Sequence, residues 1–360
     1  MKNGLRRLGL DGDYDESELP LLLTRRGMAE WTGDAVRLLD RRDLPRTVRF
    51  ITCREVEDVA RAIETMAIQG AFTLSLAAGY GMALALLSAG TTGDGERRLA
   101  QAARRLAATR PTGLALRRMI VACEAAAAKA RDRGEDAVDA IVRTVDGKAA
   151  ELARQALATA RHALPLLAGA EAVLTHCFAD RSLLYLLLEA KRAGRSMHVF
   201  CSETRPYLQG ARLTAPAVLE IGHRATVITD GMGGFLMRRG EVQAFLTAAD
   251  RVCLDGTVCN KVGTYQFALA ARANRVPYYV LRQSGPDLES PDESHVEIEF
   301  RDGDQVLSFM GARTTVEGVD ALYPAFDITP PELVTAIVTD RGIFEPLAVA
   351  DYAQRAEARA

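Results

Sequence analysis

The sequence predicts an α/β protein in two parts: a mainly helical N-terminal part with a small antiparallel sheet, then a part built on a doubly wound parallel sheet. Three observations predict it. From residue 56 to 166 the chain is rich in Ala, Leu, Arg and Glu, with apolar positions recurring at three and four, the helical period. Beyond Gly169 short, nearly continuous apolar segments alternate with stretches long enough for crossover helices, which is the βαβ rhythm. Between residues 16 and 52 short apolar groups are broken by Gly27, Gly33 and Pro45, as in a small sheet of short strands. The two domains are expected at 1–165 and 166–360.

In chain order, Leu19, Leu21 to Leu23, Val36 to Leu39 and Val48 to Ile51 supply the first strands. Helices are expected at 56–67, 72–87, 96–108, 114–130 and 135–166, with breaks at Gln69-Gly70-Ala71 and Arg110-Pro111-Thr112-Gly113. Strands are expected at 173–175, 197–200, 225–229, 251–254 and 276–281, and crossover helices at 180–193 and 264–273. Toward the end, 296–300 and 306–309 read as a hairpin turning at Asp302-Gly303-Asp304. Thr329-Pro330-Pro331-Glu332 reads as the capping box of a last helix that stops at Gly342.

Composition narrows the class of function. The 360 residues are 48% hydrophobic and 26% charged with a formal net charge of −2, and basic side chains are dispersed among acidic ones. Such a surface has no footprint for nucleic acid or an anionic membrane. The first residues lack the apolar core of a signal peptide, and the one long apolar run, 66–87, is interrupted by polar residues and glycines, so it reads as a buried helix. Six cysteines lie far apart without metal-like spacing, which fits a reducing cytoplasm and neither a disulfide framework nor a metal site. No GxGxxG follows a strand and no GxxxxGK[ST] occurs, so no nucleotide cofactor is expected. The expected partner is a small molecule.

Doubly wound sheets bind ligands outside the carboxyl ends of their strands. That rule places Cys177, Ser202 to Arg205, Asp230 to Gly234, Asp250 to Gly256 and Gln283 to Gly285 around one crevice. Cys177 stands where a strand hands over to a helix, a place that favours a thiolate; buried filler is the competing reading of the same position. Asp250 follows the apolar Phe245-Leu246 and fits either an acid–base partner or an ion pair with Arg251. His176 adjoins Cys177 but points to the other side of an extended strand, so it does not suggest a Cys–His pair. Arg110, Arg205 and Lys261 each stand beside a Gly or Pro break, and Gly70-Ala71 opens a helix whose N–H groups suit an anion. Arg110 capping a helix, and Lys261 as a solvated charge, are the ordinary alternatives.

The block Glu203-Thr204-Arg205-Pro206-Tyr207-Leu208-Gln209-Gly210-Ala211-Arg212-Leu213-Thr214-Ala215 is distinctive. Together with Leu174-Thr175-His176-Cys177, Ala249-Asp250-Arg251, Asn260-Lys261-Val262-Gly263-Thr264 and Tyr323 to Pro330, it resembles the methylthioribose-1-phosphate isomerase family. That family is related to ribose-1,5-bisphosphate isomerases and to the regulatory subunits of the initiation-factor exchange complex. The resemblance runs from about residue 40 to 346 and implies a Rossmann-like C-terminal domain and a homodimer. It implies a metal-independent aldose–ketose isomerisation of a sugar 1-phosphate with Cys177 and Asp250 as the catalytic pair. Gly70, Ala71, Arg110, Gln209, Asn260 and Lys261 are its implied substrate-binding residues.

The chain also departs from the family pattern. Gln69 and Phe72 replace Arg and Pro around the phosphate-binding Gly-Ala, Phe178 replaces the Asn after the cysteine, Asp180 replaces a Gly, and Ala115 replaces an Asn. The loss of a charge-assisted pair at Gln69 is worth roughly 1.5–3 kcal/mol. An isomerase with an altered pentose 1-phosphate substrate is therefore expected. A 5-deoxyribose 1-phosphate or ribose 1,5-bisphosphate substrate, or a non-catalytic sensing protein like the initiation-factor subunits, are the alternatives.

Overall fold

The computed structural model describes residues 8–88, 94–111 and 113–355. The chain divides into two compact units, Met1–Ala153 and Arg154–Ala360.

In the first unit β1 (Ala29–Trp31), β2 (Val36–Asp40) and β3 (Arg49–Cys53) form an antiparallel sheet in that order. Leu21–Leu23, expected as part of a strand, is instead a 3-10 turn that starts directly after Pro20. The helices follow as α1 (Val56–Glu64), α2 (Ala71–Leu87), α3 (Gly95–Ala108), α4 (Leu114–Asp132) and α5 (Ala137–Ala163), the last containing the division between units. α2 is buried on almost every side, as a central core helix must be when its sequence has no polar face. Gly79 lets α2 approach its neighbours closely, since a Cβ there would stand 2.5 Å from Val145 Cγ2. Among the described residues no helix is long and apolar enough to cross a membrane.

The second unit alternates strand and helix: β4 (Ala172–Thr175), α6 (Asp180–Arg192), β5 (His198–Ser202), α7 (Ala215–Ile221), β6 (Arg224–Ile228), α8 (Gly233–Arg238) and β7 (Ala244–Ala248). Then come β8 (Arg251–Val252), β9 (Val258–Lys261), α9 (Thr264–Asn274), β10 (Tyr278–Leu281), β11 (Phe300–Arg301), β12 (Ser308–Phe309), β13 (Ala312–Arg313), β14 (Tyr323–Pro324), β15 (Phe326–Thr329), β16 (Ala336–Thr339) and β17 (Gly342–Phe344). The main sheet has the order β17-β16-β10-β7-β4-β5-β6 and is parallel apart from the edge strand β17. A second sheet, β15-β9-β8, is antiparallel.

Three expectations for this unit are corrected. The fourth strand of the main sheet is Ala244–Ala248, not 251–254; Arg251–Val252 turns away to pair with Val258–Cys259 in the small sheet. The last helix does not form. Thr329 ends β15, Pro331–Leu333 make a single 3-10 turn after Pro330, and Ala336 to Val338 enter the main sheet beside β10. Buried on both faces, that largely β-branched run gains more as a parallel strand than as a helix with one apolar side. The 296–309 hairpin is also absent: Phe300–Arg301 pairs with Tyr323–Pro324, and Ser308–Phe309 turns back on Ala312–Arg313.

Candidate active site

The main sheet grows outward from β4 in two directions, to β5 and β6 on one side and to β7, β10 and β16 on the other. Between β4 and β7 the strand order therefore reverses, and the crevice outside the carboxyl ends of those strands is where such sheets take ligands. Cys177 lies two residues past the end of β4 and Asp250 two residues past the end of β7. The two strands are hydrogen-bonded neighbours, with Thr175 opposite Leu246.

Cys177 has a left-handed backbone, φ 66°. Its N–H donates to Thr204 Oγ1 at 3.0 Å, and its carbonyl accepts from Thr214 Oγ1 at 2.8 Å. The residue as a whole is half-buried. Helix α6 starts three residues later with Ala179 at the N-cap position and no side-chain cap, so Cys177 lies in the turn that leads into the helix. Burial pushes the Cys177 thiol up to about 11. The Lys261 ammonium, the Phe178 N–H and the Arg301 guanidinium pull it down, while Asp250 adds to the rise. At neutral pH the resting group is a thiol, set among charges that favour its anion.

His176 is fully committed elsewhere. Nε2 faces the Val262 carbonyl at 2.9 Å and Nδ1 faces Ser202 Oγ at 2.5 Å. A carbonyl can only accept, so Nε2 carries the proton and Nδ1 accepts from the serine hydroxyl. Burial holds this imidazole down at about 4, and it is neutral. It ties the ends of β4 and β5 to the loop after β9 and has no nitrogen left for the thiol.

Lys261 and Asn260 end β9, and both are buried rather than solvated. Lys261 Nζ donates to the Ala325 carbonyl at 2.6 Å and lies 4.7 Å from the centre of the Phe326 ring. Burial lowers its pKa, and neighbouring Cys177 opposes that shift. Asn260 Nδ2 donates to Thr264 Oγ1 at 3.0 Å. Gly263 precedes α9 with φ 104°, and its N–H donates to Asp327 Oδ2 at 2.6 Å. Gln209 is buried, and its Oε1 has no hydrogen-bond partner among the described residues.

Two features of this crevice lie beyond the sequence reading. Arg301 acts electrostatically on both Cys177 and Lys261, and its Nε donates to Glu299 Oε1 at 2.9 Å. The Glu299-Phe300-Arg301 alternation is the available signal, but the expected hairpin ends its first strand at Phe300 and leaves Arg301 between that strand and the turn. Arg205, an expected anion ligand, instead holds chain: Nη2 donates to the carbonyls of Val306 (3.0 Å) and Ser308 (2.9 Å), and the guanidinium covers Phe309.

Gly70, Ala71 and Arg110 belong to the first unit. Gly70 caps α2 with φ 85° and no side-chain cap, so the first N–H groups of the helix, from Ala71 onward, have no capping side chain. Arg110 Nη2 contacts Met66 Sδ, four residues before Gly70. Buried Arg41 donates to the Gln69 carbonyl at 2.8 Å and to Thr73 Oγ1 at 3.1 Å, bracing this turn, while Gln69 Nε2 is buried without a partner among the described residues. The described residues include no group of three or more His, Cys, Asp or Glu that could hold a metal ion.

The model of the Initiation factor 2 subunit family matches residues 67–346. A methylthioribose-1-phosphate isomerase of Roseiflexus sp. (strain RS-1) is 40% identical over 333 residues, covering 88% of this chain and 94% of the relative. Among solved structures, 5-methylthioribose 1-phosphate isomerase from Pyrococcus horikoshii OT3 matches with TM-score 0.79 and 28% identity over 95% of this chain and 98% of its own. The delta subunit of translation initiation factor eIF-2B from A. fulgidus matches with TM-score 0.76 and 32% identity over 89% of this chain and 96% of its own.

Proposed function

The chain belongs to the Initiation factor 2 subunit family, and we propose that it is an aldose–ketose isomerase of a pentose 1-phosphate, with 5-methylthioribose 1-phosphate the first substrate to test. One observation carries this reading: Cys177 and Asp250 flank the point of strand reversal, on a chain 40% identical to an isomerase of that name.

The proton balance closes with these two groups. A 1-phosphate locks the anomeric oxygen, so the ring opens only when its ring oxygen is protonated; Asp250 gives that proton and regains one from the C2 hydroxyl as the ketone forms. Cys177, having first released its own thiol proton to solvent, takes the proton from C2 as the thiolate and returns it to C1, ending the cycle as the thiolate. The substrate is isomerised without net gain or loss of electrons or protons, and the route calls on no metal. The thiolate that this step needs is favoured by Lys261, Arg301 and the Phe178 N–H. In the second unit Gln209, Asn260 and Lys261 are the proposed substrate-binding residues; in the first unit Gly70, Ala71 and Arg110 are proposed to bind an anion.

Six free cysteines, five of them buried, suit a reducing cytoplasm. A homodimer is supported by the outer edge of β6, which has no strand partner among the described residues and around which Leu219, Val227, Met232 and Phe235 are exposed.

Purified protein given 5-methylthioribose 1-phosphate is expected to release the 1-phosphate ketose, with Asp250→Asn cutting kcat about 100-fold or more. Full turnover by folded Asp250→Asn and Cys177→Ala variants contradicts the assignment. Gln69 in place of the family's arginine favours a second reading, a protein that binds a sugar phosphate without converting it; binding without turnover in the same assay selects it.

A further inference from the structure

Cys177 (φ 66°) and Thr204 (φ 65°) both hold left-handed backbone conformations that β-carbon-bearing residues avoid, and they are bonded to each other. Glycine would relieve either strain but would remove the thiol or the hydroxyl. The Thr204 hydroxyl accepts the Cys177 N–H and donates to the Ser202 carbonyl at 3.1 Å. Thr204 is in turn locked from β6. Asp230 follows that strand, and its carboxylate accepts Thr204 N–H on Oδ1 at 2.8 Å and Arg205 N–H on Oδ2 at 2.7 Å. The Asp230 carbonyl accepts Gln266 Nε2 at 3.0 Å, which ties the clamp to α9. Thr204 is fully buried, so its hydroxyl has no water to exchange with. The next N–H, that of Phe178, favours the Cys177 thiolate.

We propose that Thr204 and Asp230 are positioning residues for Cys177: the Asp230 carboxylate fixes the Thr204-Arg205 turn, and the Thr204 hydroxyl holds the Cys177 N–H so that the sulfur stays against the Phe178 N–H. Three adjacent strand ends, of β4, β5 and β6, thereby serve one thiol. The proposal rests on the reading of Cys177 as the proton-transfer group.

The test compares Thr204→Val, Thr204→Ser and Asp230→Asn with native protein in two readouts: the kcat and KM for 5-methylthioribose 1-phosphate, and the rate at which iodoacetamide alkylates Cys177 at pH 8, followed by mass spectrometry. Thr204→Val is expected to lower kcat about tenfold or more, the value of one lost buried hydrogen bond, with KM changed less than about twofold. Alkylation slows in the same ratio, and Thr204→Ser restores both. A folded Thr204→Val protein with kcat and alkylation within about twofold of native, or with faster alkylation, overturns the proposal. Should Thr204→Val fail to fold, Asp230→Asn decides by the same criteria; should native protein not turn over this substrate, alkylation alone decides. Full activity in Cys177→Ala sinks the reading of the cysteine itself, whereas a dead Cys177→Ala beside an unaffected Thr204→Val sinks only the positioning role.

Discussion

At the scale of single residues, the chemistry turns on a thiol whose surroundings disagree. Burial favours the neutral form and outweighs Lys261, Arg301 and the Phe178 N–H, which favour the anion. Alkylation of Cys177 in the free protein should therefore accelerate steadily with pH from 7 to 10, because a group at about 11 is still mostly protonated there. A plateau below pH 8 would show a thiolate at rest. His176 makes the second prediction. Its folded pKa of about 4 lies below the ordinary 6.5, so its contribution to stability is whole above 6.5 and is lost as pH falls through 4. In chemical denaturation His176→Asn should show a shallower loss of stability than native protein between pH 6.5 and 4; parallel curves would mean that the imidazole is not buried neutral.

At the scale of elements, glycines separate tight packing from mere flexibility. A Cβ at Gly210 would stand 1.7 Å from the Ser202 carbonyl oxygen, so Gly210→Ala should cost at least several kcal/mol or prevent folding. Gly147, in the exposed interior of α5, has nothing within 4 Å, and Gly147→Ala should stabilise by about 0.5–1 kcal/mol in urea denaturation. Arg205 makes a third contrast: Arg205→Ala should hasten proteolytic cleavage within 306–313, since that segment loses two hydrogen bonds and the cover on Phe309. The legibility of the sequence follows the same division. Helices of the first unit and strands β4, β5, β6 and β10 carry their own periodicity and were readable. β16 was not, because a capping-box pattern at Thr329 competes locally with a strand whose stability comes from β10, more than fifty residues earlier. The place of Cys177 past β4 was readable from the strand-end rule, whereas Asp250 was proposed through the family resemblance, because the expected strand 251–254 put it at a strand's start and not past the end of β7. The Asp230–Thr204 clamp and Arg301 were not, because hydrogen bonds between strand ends and a positive φ leave no local pattern.

At the scale of the whole molecule, the family match spans both units, and the catalytic candidates belong to the second. The sheet order puts the Cys177 and Asp250 loops side by side, and the small β15-β9-β8 sheet brings Lys261 into the same electrostatic neighbourhood. The central claim is that Cys177 moves a proton from C2 to C1 of a sugar 1-phosphate. Proton and phosphorus NMR of 5-methylthioribose 1-phosphate with purified native and Cys177→Ala protein tests it most directly. Native protein should replace the anomeric C1 signal with that of a CH2–O–phosphate beside a ketone while folded Cys177→Ala leaves the substrate intact; conversion at the same rate by both proteins would contradict the account.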